Sequence, residues 1–267
     1  MTHRSTTGPR TFGHRDGPVT ARALVSLVVV NLRLYVREPI GAFFTLAFPV
    51  MLVLIFGAIF GNQPEDMFDG RGSMDISMPA YTALILGSVG LLGVAINTSS
   101  YREAGILRRF RMTPLRPLVY IAADVIANLI MTLVGMAGVV VVGWLLYRVQ
   151  FEGRALSVFL AVVLSGIAMF SVGYLIAGLA PNARAAQVIG MVVLYPMLFM
   201  SGAGMPLEVM PDSVQTISAY LPLTYVVKLL RGLWFGEAWG SLLLETGVLV
   251  GVFVICTAIA VRLFRWE

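Results

Sequence analysis

Six stretches of this chain run for about 20 residues or more with almost no charge, the length an α-helix needs to cross the hydrocarbon of a bilayer. They are Gly41 to Gly61, Met78 to Ser100, Leu118 to Tyr147, Leu156 to Ala180, Ala185 to Leu207 and Leu242 to Val261. The third contains only Asp124, the sixth only Glu245, and the fifth is interrupted by Pro196. In lipid every backbone N–H and C=O must find an internal partner, so runs of this kind fold as helices. With 58% hydrophobic and 12% charged residues among 267, the chain has too few charges to build a water-facing surface. The expected fold class is an all-α polytopic membrane protein. A single transmembrane domain covers residues 20–267, after a disordered cytoplasmic tail over residues 1–19.

Sidedness follows from the basic residues, because cytoplasmic flanks keep an excess of Arg and Lys. With the N-terminus inside, the outer side holds Arg71, Arg148, Arg154, Lys228 and Arg231, and the rest of the 19 lie inside. The acids Glu65, Asp66, Asp69 and Asp75 gather in the first outer loop. Both termini are expected in the cytoplasm, and the chain in the plasma membrane as a multi-pass protein. Arg262, Arg265 and Trp266 mark the inner end of the last span as an interfacial anchor.

Two further segments are apolar without spanning. From Thr20 to Glu38, Arg22, Ser26, Arg33 and Arg37 share one narrow arc of a helix while Leu24, Val28 and Tyr35 face elsewhere, which predicts a helix lying in the inner interface. Asn31 and Arg33 break its apolar run, which argues against a cleaved signal peptide. From Glu208 to Ser241, Pro211 and Pro222 separate two short pieces too apolar for a free loop. Short helices dipping into the outer leaflet are expected there, with Tyr220, Tyr225, Trp234 and Trp239 at headgroup level.

Several kinds of chemistry are missing. The only cysteine is Cys256, and His3 and His14 both sit in the polar tail, so neither a metal cage nor a Cys-His pair can be assembled. A phosphate-cradling G-x-x-x-x-G-K-[ST] loop needs a lysine, and the only one, Lys228, is followed by Leu229 inside an apolar segment. No nucleotide site is encoded, and no cofactor is expected in this chain; if ATP drives it, another subunit binds ATP and Mg. An ion-coupled carrier usually carries carboxylates near the bilayer midplane. Here Asp124 and Glu245 lie near helix ends, where each complements a helix N-terminus.

Against this background the stretch YREAGILRRFRMTP, Tyr101 to Pro114, concentrates charge. As a short amphipathic helix it places Leu107 and Phe110 on one face near Gly105. Glu103 then falls in the first turn and Arg108, Arg109 and Arg111 late, which suits the helix dipole. Thr113-Pro114 stops it, and LRPL leads into the next span. Such a helix either touches anionic lipid or docks a partner whose force it passes to the span.

YREAGILRRFRMTPLRP closely resembles the motif of the ABC type-2 transporter permeases, and LPLTYVVKLLRGLWFG before the last span resembles their second motif. The resemblance covers about Thr20 to Glu267. It implies an elbow helix at Thr20 to Glu38, re-entrant outer helices, and two permease copies around a central path. It also implies two cytoplasmic ABC ATPase subunits docked after the second span. Arg102, Glu103, Gly105, Leu107, Arg108, Arg109, Phe110 and Pro114 are then the ATPase-docking residues. Pro222, Tyr225, Arg231 and Gly236 belong to the outer motif, in which Lys228 stands where an acid is common. The second copy, identical in the simplest case, would meet the first and fifth spans, where Gly190, Gly202 and Gly204 permit close helix approach. Membrane lipid is the remaining partner, and no nucleic acid is expected.

The form REAGILRRFRMTP resembles the exporter branch for drug-like and lipid-like compounds; export of a lipid-linked glycan, or ion-coupled secondary transport, are the alternatives. The polarizable Met197 and Met200, with Tyr195 and Phe199, suit either a surface for varied apolar cargo or helix packing. Asn97, Thr98 and Ser99, near the inner end of the second span, suit a hydrogen bond to cargo or to a neighbouring helix.

Overall fold

The computed structural model describes residues 18–37, 42–65, 70–105, 117–204, 207 and 210–263. Helix α1 (Pro18–Arg37) precedes α2 (Phe43–Phe60), whose first turn, Phe43–Ala47, is π-helical. Then come α3 (Ser73–Glu103), α4 (Pro117–Tyr147), α5 (Ala155–Leu179) and α6 (Ala183–Met200). Two short helices, α7 (Asp212–Ser218) and α8 (Pro222–Trp234), lead through a 3₁₀ turn at Trp239–Leu242 into α9 (Leu243–Leu263). The only strands among the described residues are β1 (Pro64–Glu65) and β2 (Arg71–Gly72), a two-rung antiparallel ladder pairing Pro64 with Gly72 and Glu65 with Arg71. Six helices, α2 to α6 and α9, are long and apolar enough to span a membrane, so the chain is an all-α multi-pass membrane protein.

The axis of the bundle is α3, buried along nearly its whole length, whereas α2, α6 and α9 expose most of theirs. Its far half, Ser73–Ser88, packs on α4 and α8, and its near half, Ala95–Glu103, packs on α5 and α6. Between them Val89–Val94 forms a π-helical segment. There the neighbouring helices touch backbone to backbone. A Cβ added at Gly173 of α5 would fall 2.0 Å from the Gly90 carbonyl oxygen, and one at Gly190 of α6 would fall 2.4 Å from that of Leu91. Leu86, Leu91, Met169, Phe170, Leu223 and Leu230 fill the core around this crossing.

Helix α1 packs on α4 through a face that includes Leu24, Leu27 and the buried Tyr35, whose hydroxyl meets Thr45 Oγ1 at 2.5 Å. Arg22, Ser26, Arg33 and Arg37 stay exposed, but so do Val25, Val29, Val30 and Leu34. A helix with one packed, one polar and one exposed apolar face suits the boundary between protein, water and lipid.

Three expectations about the spans change. The fifth span does not reach Leu207. It runs through Pro196 without a break, ends at Met200, and turns at Gly202 (φ +87°) with the Gly204 N–H donating to the Leu198 carbonyl at 3.0 Å. Glycine adopts that left-handed conformation without steric cost, so the helix ends seven residues early. Gly190 does not face outward for a second copy, because its open side is filled by α3 of the same chain. Asp124 lies beyond the first turn of α4 and is buried, so it does not complement that helix N-terminus; Glu245 does occupy the first turn of α9.

Candidate functional site

At the near face, where α3 ends and α5 turns into α6, the first residues of the first motif, Tyr101 to Gly105, lie at the end of the bundle. Glu103 lies in the last turn of α3 rather than in the first turn of a separate helix, because Gly105 at φ +65° ends α3 directly after it. The Ala104 N–H donates to the Ser100 carbonyl at 2.9 Å, and that of Gly105 to the Arg102 carbonyl at 3.0 Å, closing this end. The Arg102 guanidinium donates to the Ala177 carbonyl at 2.9 Å and to the Ala180 carbonyl, both at the C-terminal end of α5. Glu103 Oε1 accepts the Ala183 N–H at 3.1 Å, while Asn182 Oδ1 accepts that of Ala185 at 2.7 Å. A helix end leaves carbonyls and N–H groups unpaired, with partial negative charge at the C-terminus and partial positive at the N-terminus. A cation on the first and a carboxylate on the second therefore match in charge and in hydrogen bonding. Leu107, Arg108, Arg109, Phe110 and Pro114 lie outside the described residues.

Within the bundle, Asn97, Thr98 and Ser99 are all buried where α3 packs on α5 and α6, so they face protein rather than an open path in this chain. Asp124 Oδ2 accepts the Tyr174 hydroxyl at 2.5 Å, an interhelical bond between α4 and α5, and the Asn128 amide donates to the Asp124 carbonyl at 2.9 Å. The four α6 residues proposed to meet cargo separate: Met197 is buried, Met200 half-buried, and Tyr195 and Phe199 exposed. Exposed Val188 and Val192 continue the stripe of Tyr195 and Phe199 at heptad-like spacing.

At the far face the second motif is one helix. Pro222 occupies the first turn of α8, where its missing N–H costs nothing. Gly236 at φ +87° follows the helix end, and the Tyr225 hydroxyl donates to the Ala219 carbonyl at 2.7 Å. Arg231 and Lys228 line a cavity of about 260 Å³ with Ser77, Tyr81 and Gln215. Trp234 departs from expectation. It is 2% exposed, its indole N–H donates to the Gln150 carbonyl at 3.2 Å, and its ring packs edge-on against Phe151. An indole whose N–H is taken by protein backbone has no need of the headgroup layer.

The family model of the ABC-2 type transporter matches residues 22–235, a range that takes in the first motif, all of the second but Gly236, and five of the six spans. The chain belongs to the ABC-2 type transporter family. Among its relatives, the daunorubicin resistance ABC transporter permease protein DrrB1 of Streptomyces coeruleorubidus is 29% identical over 82% of this chain and 76% of its own length. Nodulation protein J of Rhizobium leguminosarum bv. viciae is 32% identical over 39% of this chain and 40% of its own. The probable multidrug ABC transporter permease YbhR of Escherichia coli (strain K12) is 22% identical over 62% and 46%.

In this ABC-2 chain one polar cluster escaped the sequence reading. Asn62 Oδ1 accepts the N–H groups of Met74 at 3.1 Å and Asp75 at 3.2 Å, and its amide donates to Asp75 Oδ1 at 3.2 Å and to the Tyr147 carbonyl at 3.1 Å. Asp75 in turn accepts the Gln150 N–H at 2.9 Å. Three segments of the far face, the turn after α2, the start of α3 and the end of α4 with the residues just past it, meet at these two side chains. The usable signal was a paired Asn and Asp flanking a turn-rich loop, residues that commonly cap helices.

Proposed function

We propose that this chain is the membrane-spanning permease subunit of an ATP-driven exporter, worked by a separate cytoplasmic ATPase that docks on Tyr101 to Pro114. One observation carries the reading: the charged stretch Tyr101 to Pro114 begins at the end of α3, the most buried span, on which α2, α4, α5 and α6 pack. A push on that stretch is applied to the axis of the molecule. The near face is then cytoplasmic, as the excess of arginines there requires, in the plasma membrane with both termini inside. Two permease copies pair through exposed apolar surface, for which the stripe Val188, Val192, Tyr195 and Phe199 on α6 is suited. A daunorubicin-resistance permease and a probable multidrug permease among the relatives support hydrophobic, drug-like or lipid-like cargo.

Docking is assigned to Leu107 and Phe110 in a groove of the ATPase, with Arg108, Arg109 and Arg111 at its rim and on lipid headgroups. An aromatic anchor commonly costs ~2 kcal/mol or more on truncation, and a rim charge less, with screening by salt. In mild detergent the native chain is expected to co-purify with an ATPase and to hydrolyse no ATP alone. Phe110→Ala should weaken that association about thirtyfold while the spans remain inserted. If Phe110→Ala leaves association and export unchanged, while removing the arginines only loosens membrane contact, the stretch is a lipid-binding loop.

The buried Asp124 favours one other reading, an ion-coupled carrier, because a carboxylate inside a span is a common site of proton or cation coupling. Asp124→Asn separates the two. An ATP-driven exporter keeps its transport, since an amide still pairs with the Tyr174 hydroxyl; an ion-coupled carrier loses it.

A further inference from the structure

The docking motif begins with Arg102 and Glu103, yet in this fold both side chains are bonded to backbone groups around the turn between α5 and α6. We infer that these two residues are a transmission clamp: they fasten the end of α3 to the turn between α5 and α6, so that movement of the docking stretch reaches α6. The inference rests on the proposed docking of an ATPase at Tyr101 to Pro114 and adds the route by which that docking acts.

The geometry is two-sided. Arg102 holds two carbonyls at the C-terminal end of α5, those of Ala177 and Ala180, and a forked guanidinium can span two acceptors where a lysine reaches one. Glu103, the next residue, holds the N–H of Ala183 in the first turn of α6. The short turn Ala180 to Asn182 is thus gripped at both ends by consecutive side chains of a third helix. All three bonds are charge-assisted, and all use backbone groups that helix ends leave without partners. Asn182 Oδ1 on the Ala185 N–H fixes α6 to the same turn. Gly105 ends α3 only two residues past Glu103, so little chain lies between the clamp and the docking stretch. Higher up, α6 rests with Gly190 against the Leu91 carbonyl, and the clamp and that contact together make α6 follow α3.

This changes what Glu103 requires. Here it serves as an acceptor for a backbone N–H, a task a glutamine oxygen also performs, whereas a carboxylate paired with an arginine of the ATPase would need its charge. The deciding measurement is hydrogen exchange by mass spectrometry on the complex of this chain with its co-purifying ATPase, with and without ATP plus orthovanadate. In the native complex the nucleotide is expected to alter exchange both in 104–116 and in 181–190. In Glu103→Ala, and in Arg102→Lys, the response in 104–116 persists and that in 181–190 is lost; Glu103→Gln restores it. Without nucleotide, Glu103→Ala should raise exchange of 181–188 about tenfold, as loss of a charge-assisted bond predicts.

The clamp is overturned if Glu103→Ala leaves exchange of 181–188 as in the native chain, or if the response in 181–190 survives in both variants. Loss of the ATPase in Glu103→Gln as completely as in Glu103→Ala overturns it too, and assigns the carboxylate to the partner. If the native chain brings down no ATPase, the docking reading and the transmission role fail together, and basal exchange of 181–188 still decides whether the clamp exists.

Discussion

Gly173→Ala is expected to destabilise the bundle by about 3 kcal/mol, the upper end of what one overpacked methyl costs. The added carbon would lie 2.0 Å from the Gly90 carbonyl oxygen, and no rotamer change relieves a clash between Cβ and backbone. The alternatives are to part α5 from α3 or to bend one of them, and either disturbs Met169, Phe170 and Leu91, which are buried at the same crossing. Gly190→Ala should act in the same direction, since its added carbon would lie 2.4 Å from the Leu91 carbonyl oxygen. The matched control is Gly251→Ala in α9, where a Cβ meets open space and helix propensity alone gains up to about 1 kcal/mol. Thermal unfolding in detergent, followed by the monodisperse fraction, reads all three. Equal behaviour of Gly173→Ala and Gly251→Ala would mean that the two helices do not touch in this way.

Asn62→Ala should cost a similar amount, about 3 kcal/mol, by a different route. The substitution leaves the N–H groups of Met74 and Asp75 without their acceptor in the first turn of α3, and takes a donor from both Asp75 and the Tyr147 carbonyl. Asn62→Asp tests the directionality. It keeps the acceptor but replaces the donor by a second carboxylate oxygen against Asp75, so it should be no milder than alanine. Unfolding in detergent measures both variants, and loss of less than about 1 kcal/mol in each would remove this cluster from the set of ties that hold the far face.

The six spans were legible because length and the absence of charge suffice to identify a membrane helix. Which side of each helix meets protein was not. In a soluble protein the pattern of apolar and polar residues separates core from surface, but lipid is as apolar as a core, so Leu84 and Ile85, fully buried in α3, look the same in sequence as Val254 and Ile255, exposed on α9. For the same reason Gly190 could be recognised as a place of close approach but not assigned its neighbour, and Met197 and Phe199 could not be told apart. Both motifs were legible as motifs. Missing from the sequence was the partner of each side chain: Glu103 finds an N–H 80 positions away, and Trp234 a carbonyl 84 positions away. Asp124 was placed near a helix end by its position in the apolar run Leu118 to Tyr147, but Tyr174, the residue that holds it, lies on another span.

The π-helical segment Val89–Val94 sets the angular phase of everything beyond it. A π turn closes its hydrogen bond one residue later than an α turn, and each residue advances a helix by about 100°. The two halves of α3 are therefore out of step with any single heptad ruler laid along the span, and each half addresses its own pair of neighbours. Deleting one residue within Val89–Val94 would let the segment rewind as plain α-helix with both halves still facing their own neighbours. Rewinding it with every residue kept would instead swing Ala95 to Glu103 by about 100°, turning Asn97 out of its packing and aiming Arg102 and Glu103 away from the turn they hold.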